Sequence, residues 1–133
     1  MTSRAILEQR CQTIEEGYEF MLAYAAQGLT GDGGAESGSQ LREYLRRTVD
    51  ALSGLTGLYA EHVQQDRLQP AARYEAFLAV FERDAHATLA ALELVLAQPS
   101  ISSQLIDNLN ASIHLRAVLT DIFLLDELYG TKA

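Results

Sequence analysis

Apolar residues recur along this chain at alternating intervals of three and four, in four separate runs, and that rhythm leaves few folds open. The first run is Leu7, Cys11, Ile14, Tyr18, Met21 and Ala25; the second is Leu41, Leu45, Thr48, Leu52, Leu55, Tyr59 and His62. The third is Tyr74, Leu78, Phe81, Ala85, Leu89 (or Thr88), Leu92 and Val95; the fourth is Ile106, Leu109, Ile113, Ala117, Thr120, Leu124 and Leu128. Such spacing keeps one stripe of a helix facing its neighbours, the seam of helices crossing at about +20°. No segment alternates with the two-residue period of a strand. The runs predict an all-α domain over residues 1–133, with helices over about 3–28, 39–67, 70–97 and 102–129. An up-down-up-down four-helix bundle is the simplest assembly.

Punctuation supports those boundaries. Gly28 to Gly38 contains five of the chain's nine glycines and reads as a flexible loop. Pro70 and Pro99 stand where one helical pattern stops and the next starts. Ser102 or Ser103 is placed to cap the last helix. Two features depart from a plain amphipathic pattern. Gly54 and Gly57 interrupt the second helix and suggest a close helix crossing or, on another reading, a ligand groove. Ala117 to Leu125 is apolar nearly all round, which calls for cover on a second side. Self-association is the expected cover, giving a homodimer whose interface uses Val118, Ile122 and Leu125. Asp121 and Asn110, from a polar stripe beside that surface, would fix its register.

Charge narrows the partners. Eighteen acidic residues against ten basic ones give a formal net charge of -8. Repulsion of phosphates argues against nucleic acid and against anionic membrane surfaces. No apolar run approaches the roughly 18 residues of a membrane span, and Met1 to Arg10 has no signal-peptide core. A single cysteine, Cys11, suits a reducing compartment and hence a cytoplasmic protein.

Catalytic chemistry is thinly represented. Cys11 occupies a seam position, where a small buried hydrophobe belongs, and Gly31-Asp32-Gly33-Gly34 lacks the context of a phosphate loop. Arg42, Arg46 and Arg47 with Glu43 and Asp50 read as ordinary helical ion pairs. His62 closes the second seam and reads as packing near a helix end. In an antiparallel bundle His86 and His114 fall at one height, with Glu82, Asp50 and Glu19 near it. These five could hold iron, manganese or zinc. The Glu-x-x-His pairs of ferritin-like di-metal proteins are absent, since Glu82 and His86 stand four apart. No motif identifies a family. The expectation is a non-enzymatic adaptor, chaperone or assembly factor acting on another protein, without a cofactor. The alternatives are a metal- or cofactor-binding bundle and a small-molecule sensor with a pocket near Gly54 and Gly57.

Overall fold

The computed structural model describes residues 2–34 and 36–129. It is all-α, with no strand among the described residues. The helices are α1 (Ser3–Ala25), α2 (Glu36–Leu52), α3 (Leu55–Gln65), α4 (Ala71–Leu96), α5 (Ser103–Ala111) and α6 (Ile113–Leu128). Two expected helices are therefore each broken into two. The segment expected over 39–67 becomes α2 and α3, and that over 102–129 becomes α5 and α6. Helix α1 packs on α2, α3 and α5, whereas α4 packs on α2, α3 and α6. Between them Ile14, Met21, Tyr24, Leu45, Tyr59, Phe81, Leu92 and Ile106 are almost wholly removed from water. Each such side chain contributes about 1.5–3 kcal/mol relative to exposure.

The first break is a backbone event. Gly54 takes a left-handed conformation, φ +75°, which ends α2 at no steric cost. From α1, Arg10 Nη1 donates to the free carbonyl of Ser53 at 2.6 Å. A side chain added at Gly54 or Gly57 would meet nothing within 4 Å, so neither glycine marks a close crossing. Gly17 does: on the α1–α2 contact, a Cβ there would run into Thr48 Oγ1.

The second break changes which face is buried. Ser112 is extended, with ψ 146°, and its side chain accepts from Leu115 N–H at 3.3 Å as the N-cap of α6. From α4, Thr88 Oγ1 donates to the His114 carbonyl at 2.8 Å. Beyond the break the core-facing residues are Leu115, Val118, Leu119, Ile122 and Leu125. The expected seam residues Ile113, Leu124 and Leu128 instead lie open to solvent.

The glycine-rich segment is anchored rather than loose. Asp32, its side chain only 9% exposed, accepts from Arg42 Nε and Nη2 at 2.5 and 3.3 Å and from Ile101 N–H at 2.6 Å. Arg42 also donates to the Leu96 and Gln98 carbonyls, at 3.0 and 2.9 Å, which closes the end of α4. So Arg42 is a long-range tie, while Arg47 makes the expected helical pair with Glu43 at 3.0 Å. Leu29 and Ser103 exchange two hydrogen bonds of 2.9 Å, and Ser103 Oγ donates to the Tyr24 carbonyl at 2.7 Å.

Gly38, expected in the loop, lies inside α2 against the Asp32 backbone, and a Cβ there would strike backbone atoms that cannot rotate away. Gly38→Ala is expected to lower stability by about 1–3 kcal/mol through overpacking. Urea denaturation with an unchanged m-value would show it; a wild-type midpoint would contradict the contact.

Candidate functional site

The residues expected at a dimer interface are core residues. Val118 and Ile122 are fully buried within the chain, Leu125 is 1% exposed, and Asn110 and Asp121 are 7% and 8% exposed. The reason is the Ser112 break, which rotates this face of α6 inward against α4. Asn110 Nδ2 donates to the Met21 carbonyl at 3.2 Å, tying α5 to α1. Asp121 is held against the Asp84 carboxyl of α4. Burial, then a hydrogen bond that neutral Asp121 donates to Asp84, and the Asp84 charge push the Asp121 pKa up to about 7.

What α6 presents outward is a different stripe: Ile113, 75% exposed, then Ala117, Thr120, Leu124 and Leu128. Phe123 flanks it at 57% exposed. Steps of four, three, four and four place these residues along one side of the helix.

The five residues expected around a metal are not gathered. His86 is exposed and engaged with Glu82, Nε2 to Oε2 being 2.8 Å. Glu82 also accepts from Thr56 Oγ1 at 2.5 Å, and these two hydrogen bonds, with Thr56 the larger influence, hold its pKa below the usual value. His114 lies exposed in the first turn of α6, while Asp50 and Glu19 are exposed on α2 and α1. Among the described residues no three metal-binding side chains form a group that could hold an ion. Level height along an ideal bundle did not bring them together, because both breaks alter the axial and angular positions on which that expectation relied.

A polar cleft stands instead between α1, α3 and the end of α6. It encloses about 390 Å³ and is lined by Leu7, Glu8, Cys11, Gln12, Glu15, Arg4, His62, Asp126 and Tyr129. Its origin is the same break: α5 lies on α1, but α6 turns to α4 and leaves one polar side of α1 uncovered. Cys11 Sγ lies 3.2 Å from Tyr59 Oη, and Tyr59 donates to Asp126 Oδ1 at 3.4 Å. Either group can be the donor in the first pair. Burial pushes the Cys11 thiol up to about 12, so it stays protonated and is a poor nucleophile. Burial raises Tyr59 as well, with Cys11 adding to it. Asp126 is raised first by burial and then by Glu15, against a lowering hydrogen bond from Tyr59.

Tyr129 closes the cluster. Its ring stacks on His62 with centroids 5.0 Å apart and meets Tyr59 edge-on at 5.2 Å. His62 Nε2 lies 3.3 Å from Asp66 Oδ2. Tyr129 is 5% exposed, yet its hydroxyl has no hydrogen-bond partner. Sequence reading placed Cys11, Tyr59 and His62 on seams, which is where they are, but had no signal that Asp126 and Tyr129 would join them. The chain matches no family model, no curated protein and no solved structure. No helix is long and apolar enough to cross a membrane.

Proposed function

We propose that this chain is a non-enzymatic cytoplasmic accessory protein, an adaptor, chaperone or assembly factor, that acts through protein–protein contacts as a homodimer. Its six helices would serve as four antiparallel rods, two of them broken. The observation that carries the reading is the outward stripe of α6, where Ile113, Leu124 and Leu128 are exposed in a chain with a well-filled core. The buried Cys11 thiol is held protonated, which suits packing rather than nucleophilic chemistry.

A second copy of the chain fits this stripe because the pattern is self-complementary. In an antiparallel pairing centred between Thr120 and Asp121, Ile113 lies opposite Leu128 of the other copy and Ala117 opposite Leu124, so a small residue meets a large one.

Sedimentation equilibrium tests the dimer. The wild type is expected to dimerise more tightly as salt rises, because salt screens the repulsion of two chains of formal charge -8 while leaving apolar contacts intact. Ile113→Glu with Leu124→Glu should weaken association at least about 100-fold with little change in melting temperature. A wild type that stays monomeric at high concentration and high salt, or a double variant that dimerises normally, would overturn the reading.

A further inference from the structure

The stripe on α6 is too small to form a stable interface by itself. A helix of 16 residues is about 24 Å long and about 10 Å across. Its outward side falls well short of the roughly 800 Å² that each partner buries in a stable complex. Apolar surface continues from the end of the stripe onto α4. Leu128, 53% exposed, is the last residue of the stripe and also a wall of an open pocket. Leu125 lies at the floor of that pocket, and Pro70, Arg73, Tyr74 and Phe77 complete it. Steps of three, one and three place those four on one side of the start of α4. The volume of about 260 Å³ is below the roughly 300–1,000 Å³ of small-molecule sites and is of a size for an aliphatic side chain.

We propose, resting on the docking role given to the α6 stripe, that this pocket receives Ile113 of a second copy, so that the interface extends from α6 onto the start of α4. In the antiparallel register Ile113 comes opposite Leu128, the residue that joins stripe and pocket. At 75% exposed, Ile113 is the most exposed large apolar side chain among the described residues. Among those residues Arg73 is the one charged side chain lining the pocket, so seating a neutral side chain there desolvates no carboxylate. Twofold symmetry makes the contact twice, one anchor at each end of the paired helices.

Sedimentation equilibrium of the full chain at high salt tests this, with oxidation of an introduced cysteine pair as a second readout. Ile113→Ala and Phe77→Ala are each expected to weaken dimerisation at least about tenfold. The double variant should lose less than the product of the two losses, because both substitutions remove the same contact. Ile113 is exposed, so its variant should keep the wild-type melting temperature; should Phe77→Ala unfold, the cross-link decides. Arg73→Cys with Ile113→Cys is expected to give a covalent dimer on a non-reducing gel. Neither single variant should, since Cys11 is buried and like positions lie at opposite ends of the pairing. A wild type that stays monomeric would overturn both this contact and the docking role. A wild type that dimerises through the α6 stripe would overturn the contact alone if Phe77→Ala kept wild-type affinity, if the two losses simply multiplied, or if the cysteine pair gave no cross-link.

Discussion

Asp32→Ala is expected to destabilise the fold by about 3 kcal/mol, the lower part of the range for removing one partner of a buried ion pair. The carboxylate joins three parts of the chain: its own loop, Arg42 of α2 and the Ile101 N–H that precedes α5. Its loss strands that N–H and leaves Arg42, 20% exposed at its side chain, with only the Leu96 and Gln98 carbonyls. The melting temperature should fall by about 10 °C. Asp32→Asn keeps an acceptor for Ile101 and should cost less. The pH dependence provides an internal check. Arg42 first, then the Ile101 N–H, against an opposing effect of burial, hold the Asp32 carboxyl below its ordinary value of 3.8. Its contribution is complete above that value and is lost as pH falls through the lower, folded pKa. Wild-type stability should therefore drop steeply below about pH 4, and Asp32→Asn should drop less steeply. Equal acid sensitivity in both would remove Asp32 from its assigned role.

Asp121→Asn is expected to do the opposite and stabilise the protein at alkaline pH. Asp121 is buried beside Asp84, and its pKa is pushed up to about 7 by burial and by that neighbour, against 3.8 ordinarily. Below 3.8 the group is protonated in both folded and unfolded chains, and its contribution is fully present. As pH rises from there, the unfolded chain ionises first, so stability is lost until the folded group also ionises near pH 7. The loss is roughly 2–4 kcal/mol. Asparagine keeps an amide donor toward Asp84 without needing to stay protonated. The variant should match the wild type near pH 4 and exceed it at pH 8, which chemical denaturation at the two values would measure. A variant less stable than the wild type at pH 8 would mean that Asp121 is not the group whose ionisation costs stability there.

Helix α6 shows how far local pattern carries. The run Ala117 to Leu125 is apolar on more than one side, and α6 buries one face and exposes another. The assignment of faces was inverted. Val118, Ile122 and Leu125 are inside, whereas Ile113, Leu124 and Leu128, placed on the seam, are outside. A continuous helix would have kept the phase set by Ile106 and Leu109; one extended residue at Ser112 resets it. A serine inside a helical pattern either bonds back within the helix or ends one helix and caps another, and its own neighbours do not decide between these. Here Thr88 of α4, 26 residues from His114, donates to a carbonyl in the first turn of α6 and helps hold the reset phase.

Helix content and the absence of strands were legible in sequence because a 3.6-residue period and proline positions are local properties of the chain. Gly54 was visible as an anomaly, but its φ of +75° as a helix end was not. Asp32 and Ile101, 69 positions apart, are joined by a hydrogen bond for which no local rule exists. The cleft has the same origin, since α1 supplies Glu8, Cys11 and Glu15, α3 supplies His62 and α6 supplies Asp126, with Tyr129 just beyond its end. Sequence by itself determined that this chain is helical and which segments are helix-forming, because those choices are settled within a few turns. Tertiary structure alone decided the phase of α6, the anchoring of the glycine-rich segment and the polar cleft, because each depends on contacts between side chains and backbone groups far apart in sequence.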